Sequence, residues 1–344
     1  MWRTWWKGLS RSMHDLVLLV LVIVLALTFD FVNGFHDTAN SIATTVSTRV
    51  LSPKAAVIMA AALNFVGAWI NESVAKTISK GLVAETLPQY VIAATLLAAI
   101  IWDLVTWYLG IPSSSSHALI GALIGAAIAY TMTFDKIIWQ GVLDKVVIPL
   151  VTSPLIGFAM GYLVMVGLMW LFRKVSQQFV NRWFSKLQIV SAAFMAYSHG
   201  GNDAQKSMGI ITLALVSAGV WSADGGIPWE VKLACAVAMA LGTSIGGWRI
   251  IKTMGVNMIK LTPINGFAAE TAAATVIQTM THFGAPVSTT HVISTSIMGV
   301  GASKRFSAVR WALARNIVAA WIFTIPVCGL IGGGLVFLLR PLFG

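Results

Sequence analysis

The sequence predicts an all-α polytopic membrane protein made of two repeats with broken helices. Three observations carry that reading. Of the 344 residues, 57% are hydrophobic and only 10% are charged. Long apolar runs recur from end to end, and motifs of the first half return in order in the second. A soluble domain has about 25% charged residues, so this composition, with a mean hydropathy of +0.82, belongs in a bilayer. A membrane barrel would read as short alternating strands, and the sequence has no such pattern.

The apolar runs are 16–29, 55–70, 90–109, 117–130, 146–172, 188–197, 208–221, 231–245, 264–280, 291–302 and 311–339. A spanning helix takes about 20 residues, so the expectation is about ten to twelve helical segments, some broken or re-entrant, with room for more than one span from 311 onward. The N-terminal MWRTWWKGLSRSMHDLVLLVLVIVLAL has the basic-then-apolar order of a signal peptide. No small-residue cleavage site follows, and the chain runs directly into FDFVNGFHD. It reads as a retained first helix, with Trp2, Trp5 and Trp6 as interfacial anchors.

The net charge is +11, scattered except for a cluster at Arg173, Lys174, Arg182 and Lys186. No aromatic-interleaved basic domain points to nucleic acid. The charge fits positive-inside loops and attraction to anionic membrane lipid. It marks 173–187 as a basic cytoplasmic linker between a first repeat, 1–172 with the N-terminal helix, and a second, 188–344. The basic N-terminus (Arg3, Lys7, Arg11) is a weaker guide to sidedness. Cys235 and Cys328 lie in apolar runs, so no disulfide framework is expected.

GFHDTANS at 34–41 returns as GGNDAQKS at 200–207, offset by 166 residues. IPSSSSH at 111–117 returns as APVSTTH at 285–291, offset by 174. Ala75-Lys76-Thr77 is echoed by Ile251-Lys252-Thr253, offset by 176. Three matches in order point to duplication. Duplicated halves in a polytopic membrane protein point to a transporter, with its site near midplane on interrupted helices. Inversion of the halves depends on the number of spans in each, which these patterns do not fix.

Pro112 and Pro286 disfavour helix at and before themselves, and the following Ser and Thr residues are good N-caps. Gly121 and Gly125, four apart, permit close helix packing. Each stretch therefore reads as a hairpin tip or break followed by a half-helix that starts inside the membrane. A helix N-terminus offers free N–H groups and partial positive charge. Ser114, Ser115, Ser116, Ser288, Thr289 and Thr290 add hydroxyl donors, and the two ends together could surround a tetrahedral oxyanion. The plainer alternative is a pair of surface loops capping ordinary helices; their matched occurrence argues against it. His117 and His291 follow each cluster and are expected to support the hairpins.

An Asp in an apolar segment is costly and by default functional. On a helix Asn33, Asp37, Asn40, Ser41 and Thr44 share a stripe, and His199, Asp203, Lys206 and Ser207 share its counterpart beside Asn202. Gly34, Gly200 and Gly201 are expected to let the helix break just ahead. Carboxylate, amide and hydroxyl oxygens suit a hard cation. The same carboxylates could carry protons, or merely lock helices together. Asn40 aligns with Lys206, whose ammonium could replace a bound cation or neutralise Asp203. His36 aligns with Asn202 and adds a titratable group. Both changes favour protons over a sodium-filled pair of sites. Asp30, Glu72, Asp103 and Glu270 are further intramembrane charges; Asp30, Glu72 and Glu270 either join the coupling path or are paired structural charges.

These residues resemble the inorganic phosphate transporter (PiT) family. GFHDTANS and GGNDAQKS stand for its duplicated Gly-x-Asn-Asp-x-x-Asn-like segment. PVSTTH at 286–291 matches its second duplicated element outright, and PSSSSH at 112–117 matches more loosely. NGFHDTAN and HGGNDAQK look more like the bacterial low-affinity branch than the sodium-dependent animal branch. The resemblance covers nearly the whole chain. It implies a cell-membrane phosphate symporter of two inverted-topology repeats with two re-entrant helical hairpins. Phosphate would lie between Ser114–Ser116 and Ser288–Thr290, with Asp37, Asn202 and Asp203. Coupling ions would use Asn33, Asp37, Asn40, Ser41, Asp203, Lys206 and Ser207. Supporting roles fall to His36, His117, His291, Glu72 and Glu270. No cofactor is implied beyond the coupling H+ or Na+, although a divalent metal could travel with phosphate. A homodimer is common for such folds. The chain departs from the family pattern at His36, Gln205 and Lys206, which leaves the coupling ion open.

The nearest rival is a sulfate or other oxyanion symporter of the same fold. Sulfate carries no proton near neutral pH and wants donors only, so Asp37 and Asp203 favour phosphate. An anion channel is disfavoured because carboxylates beside the anion oppose its flux. A serine hydrolase would need Ser116 and His117 to face each other, which adjacent helical residues do not do; an enzyme is not expected. No G-x-x-x-x-G-K-[ST] motif occurs, so a gradient would supply the energy.

Overall fold

The computed structural model describes residues 2–343 except 71, 81, 84–86 and 223; the side chains of 2–14 and 80 are also outside the description. The proposed anchors Trp2, Trp5 and Trp6, and the N-terminal cations, therefore lie outside the described side chains. Among the described residues the chain forms fourteen α-helices, more than the expected count, because polar joints divide several apolar runs.

Helix α1 (Trp2–His36) meets α2 (Thr38–Ser47) at Asp37, whose N–H still bonds Asn33 O at 2.8 Å. Helix α3 (Pro53–Ala68), capped by Ser52, bends by 68° into α4 (Ser73–Lys80). Helix α5 (Gln89–Leu109) ends at Gly110, φ 68°, and α6 (Ser115–Thr131) starts after the first hydroxyl stretch. Helix α7 (Trp139–Val142), a π-helical turn and α8 (Ile148–Leu171) form one apolar element. Helix α9 (Gln177–Ser217) has 41 residues, about 60 Å at 1.5 Å per residue. Helix α10 (Trp229–Ile245) bends by 61° into α11 (Trp248–Lys252) and the π-helical turn after it. Helix α12 (Pro263–His282) opens with a Thr262–Asn265 capping box, α13 (Thr289–Lys304) follows the second hydroxyl stretch, and α14 (Trp311–Phe343) ends the description. Among the described residues, four helical stretches can cross a membrane by length and composition, or up to six when each bent pair counts as one span. Apolar side chains exposed along them, such as Val20, Leu155, Leu163 and Leu330, suit contact with hydrocarbon rather than water.

Two expectations are corrected. The segment 173–187 is not a linker throughout: a short turn leads to Ser176, whose side chain accepts from Phe179 N–H, and α9 begins at Gln177. The helix also does not break at Gly200 and Gly201; α9 runs straight through them. These glycines serve close approach instead. A Cβ on Gly200 would strike the Asn64 backbone of α3, and one on Gly34 would strike Met239 O of α10. Where the first-half helix does yield, it yields at Asp37 itself.

The two halves interlock. Helix α6 packs along α14, α13 along α8, α1 along α10 and α3 along α9. Each of these pairings joins one half to the other. Both hydrophobic cores are likewise shared: Val22, Leu96 and Leu119 pack in one cluster with Ile210 and Met239, and Ile42 and Met165 pack in the other with Ile277 and Ile297.

The two ends of the molecule differ in charge. At one end Thr48 bonds Gln188, Phe184 packs on Phe172 and Phe267, Lys304 bonds Asn265, and Arg310 N–H bonds Met258 O. Arg49, Lys54, Arg173, Lys174, Lys260 and Lys304 lie on these segments. No Asp or Glu occurs in 38–71, 145–202, 231–269 or 271–344. Asp135 and Asp224 lie on loops, and Glu230 in the first turn of α10, at the opposite end.

Candidate functional site

Each hairpin tip is built the same way. Gly110 and Gly284, at φ 68° and 69°, reverse the chain after α5 and α12, a conformation that glycine adopts without steric cost. Their carbonyls accept hydrogen bonds from Thr253 Oγ1 (2.9 Å) and Thr77 Oγ1 (2.8 Å). These threonines are the ones in the repeated Lys-Thr echo, so each bent helix pair anchors a tip. Ser114 and Ser288 then cap α6 and α13, accepting from His117 N–H and His291 N–H at 3.2 Å. A capping hydroxyl keeps its own O–H free to donate. The tips touch: Ser116 Oγ donates to Val287 O at 3.1 Å. Behind them the His117 and His291 rings lie 4.9 Å apart, and His291 stacks on Trp321, whose Nε1 donates to Pro112 O at 2.9 Å. These contacts leave no Ser116–His117 pair of nucleophile and base.

The acidic motifs converge on the second tip. Asn40 Nδ2 donates to Thr289 Oγ1 (3.1 Å) and Thr290 Oγ1 (2.9 Å). Thr289 donates to Asp203 Oδ2 at 3.2 Å, and Thr290 donates to Asp37 Oδ1 at 3.4 Å. All five residues are buried. His36 Nδ1 lies 2.6 Å from Asp37 Oδ1, and its Nε2 lies 3.0 Å from Thr106 Oγ1. Ser113 Oγ donates to the same Thr106 oxygen at 2.8 Å. Asp203 is held by Lys206 Nζ at 2.5 Å and His199 Nε2 at 3.3 Å, all three fully enclosed. His199 Nδ1 meets Asn64 Oδ1 at 3.1 Å, and Asn64 donates to Thr243. Asp37, His199 and Asp203 place one ligand atom each within 4.8 Å of one another, close enough to share a cation.

Other expected residues sit nearby with polar atoms that find no protein partner: both side-chain atoms of Asn33, Asn40 Oδ1, Ser41 Oγ and Asn202 Oδ1, all buried. Such groups are costly unless something bonds them. Asn202 Nδ2 donates to Thr281 at 2.7 Å, so it braces α12. Ser207 lies beside Asp30, and Ser115 beside Asp103.

Two residues expected to support the site stand apart. Glu72 takes the alternative of a paired charge: part-buried between α3 and α4, it bonds Lys232 and lies 3.6 Å from Lys76. Glu270 forms its own buried cluster, accepting from Thr44, Ser191 and, at 3.2 Å, Gln188. Sequence patterns missed Thr106, Asn64, Thr243 and Thr281, since a Thr or Asn in an apolar run has no signature of its own; Ser113 lies inside the IPSSSSH stretch but is not singled out within it. Gln205, one of the departures, caps another element: its Oε1 accepts from Val74 N–H and Ala75 N–H at the start of α4.

A helical, multi-span membrane protein with paired bent helices and a buried polar centre between two hairpin tips is the architecture of a solute carrier rather than of an enzyme. Residues 33–332 match the Phosphate transporter family, and the chain belongs to it. A probable low-affinity inorganic phosphate transporter of Bacillus subtilis is 49% identical over 331 residues, spanning 95% of this chain and 99% of its own length. A protein so described from Rhizobium meliloti is 50% identical, over 91% of this chain and 94% of its own. A solved sodium-dependent phosphate transporter superposes with a TM-score of 0.82, covering 94% of this chain and 99% of its own, at 23% identity; that likeness concerns the fold.

Proposed function

We propose that the protein imports inorganic phosphate by symport and that protons, rather than sodium, drive it. Family membership and the named relatives support phosphate as the substrate. The observation that carries the coupling reading is the Lys206–Asp203 contact at 2.5 Å. A fixed ammonium already neutralises the carboxylate that a sodium ion would need. Asp37 meets a histidine instead, and an imidazole beside a carboxylate is a proton-exchanging pair. Phosphate would take hydroxyl donors from Ser114, Ser115 and Ser288, and from Thr289 and Thr290 once their O–H groups turn from Asp203 and Asp37, and would donate its own proton to a carboxylate. Sulfate has no proton to donate, so the carboxylates favour phosphate.

The chain directions support two halves of opposite orientation. Helix α1 leads toward the basic end, where α2 finishes, whereas α9 starts at that end. Helices α5–α6 and α12–α13 would then be hairpins entering from opposite faces. Positive-inside bias places the basic, carboxylate-free end in the cytoplasm.

A second reading has its own observation. Asp37, His199 and Asp203 form a compact O/N/O set, and imidazole suits transition metals. They could ligate a divalent cation travelling as cargo with phosphate.

The test is radiolabelled phosphate uptake into proteoliposomes under a proton gradient or a sodium gradient imposed separately, with sulfate as competitor. Uptake on the proton gradient, indifferent to sodium and resistant to sulfate, is expected. Uptake on sodium alone overturns the coupling assignment, and strong sulfate competition overturns the substrate. Dependence of uptake on added Mn2+, abolished by a chelator, would favour the metal–phosphate cargo.

A further inference from the structure

A pocket of about 500 Å³ opens at the basic end, where the start of α12, the end of α13 and the turn after it meet. Lys260, Lys304, Arg305 and Arg310 line it, over a floor that includes Ile259 and Val300. All four cations are exposed, and among the described residues none pairs with a carboxylate. Lys304 is held in place by a neutral group: its Nζ donates to Asn265 Oδ1 at 3.1 Å, the oxygen that also takes the N–H and O–H of Thr262 in the α12 capping box. Arg310 is fixed by its backbone, N–H to Met258 O at 3.2 Å.

A helix C-terminus favours a cation in its last turn, and a cytoplasmic face favours scattered ones. Neither gathers four around one cavity, where like charges repel. A multiply charged oxyanion relieves that repulsion. Arginine grips a phosphate group with two parallel N–H bonds, and lysine adds a point charge. We propose that this pocket is a second anion site, distinct from the hairpin tips, that binds a phosphate group. The group belongs either to an anionic lipid of the adjoining leaflet, for which basic pockets between membrane helices are suited, or to a free phosphate compound in the water. The occupant would sit at the base of α13, about 24 Å along a 16-residue helix from Thr289. The assignment is independent of which anion is transported.

The test uses the full chain in nanodiscs. In phosphatidylcholine discs, inorganic pyrophosphate is titrated by calorimetry; a free compound as occupant gives saturable binding that Lys304→Gln/Arg310→Gln weakens at least tenfold. In mixed discs, retention of phosphatidylglycerol over phosphatidylcholine is read by native mass spectrometry; a lipid occupant gives enrichment in the parent that the same variant removes. Lys260→Gln/Arg305→Gln serves as the second variant should the first fail to fold. Arg173→Gln/Lys174→Gln, at the same end but outside the pocket, is expected to change neither readout. The site is overturned if neither probe separates the parent from the pocket variants, or if the Arg173/Lys174 variant has an equal effect.

Discussion

Asp37 and Asp203 hold equivalent places in the two halves and keep opposite company. Asp37 lies at a joint between two helices, beside the imidazole of His36, which is tied in turn to Thr106 and Ser113. Asp203 lies inside a continuous helix, clasped by an ammonium one turn further on and by His199 one turn before. The first neighbourhood is adaptable: its partner can gain or lose a proton, and its backbone is already interrupted. The second is fixed in both charge and geometry. One carboxylate thus sits at a helix joint with a titratable neighbour, the other inside a helix with an ammonium. A further asymmetry runs the same way. Glu270 and its partners Thr44, Gln188 and Ser191 align, at offsets of 174 and 166, with Leu96, Ile210, Val22 and Leu25. A polar cluster on one side thus faces a wholly apolar one on the other.

The sharpest way to break this comparison is to neutralise each carboxylate. Asp203→Asn strands a buried ammonium, and removing one partner of a buried pair costs about 3–5 kcal/mol. The expected outcome is loss of uptake together with a clear drop in melting temperature by scanning fluorimetry. Asp37→Asn is expected to lose uptake with little change in melting, because His36 keeps its Thr106 contact. Equal melting shifts would erase the distinction. Next in size, Lys206→Asn gives the second half the amide that Asn40 supplies in the first. Proton-driven uptake is expected to fall about tenfold, equivalent to about 1.4 kcal/mol, and a sodium dependence to appear; unchanged proton-driven uptake would remove Lys206 from the coupling.

Smaller effects distinguish the two tips. Thr289 bridges Asn40 and Asp203, whereas Ser115 lies beside Asp103. Ser115→Ala is expected to raise the KM for phosphate roughly fivefold, the equivalent of one hydrogen bond of about 1 kcal/mol, with unaltered melting. Thr289→Ala should change both KM and melting. Smallest and most nearly equal are Thr77→Val and Thr253→Val, each expected to cost about 1 kcal/mol of stability through the lost bond to Gly284 or Gly110. Unequal melting shifts would mean that the hairpins are anchored differently.

The parts of the candidate site that were readable in the chain are those where composition clashes with surroundings. Asp37, Asp203 and the Pro-hydroxyl-His stretches stand out because polar groups in apolar runs are expensive, and each recurs in the other half of the chain. The Thr77 and Thr253 echo was visible too, but its purpose was not: a hydroxyl bonding a carbonyl more than 140 residues away leaves no local trace. For the same reason Gln205 read as a departure from a motif rather than as the cap of α4. Glycine misled in the other direction. Gly200 permits a break or a close approach, and only the position of Asn64 on α3 decides between them. The crosswise packing of the halves was unreadable, since each helix shows its apolar face without naming the partner that covers it.

The ion pair inside α9 also bears on membrane voltage. A transported cation leaves with its cargo, but Lys206 stays. When the empty carrier resets, the Asp203 position returns with its charge already cancelled. The transmembrane potential, worth about 2.3 kcal/mol per elementary charge per 100 mV, has little purchase on that half of the cycle. Of the two motif carboxylates, it is then Asp37, with no ammonium beside it, whose position in the cycle voltage can favour or oppose.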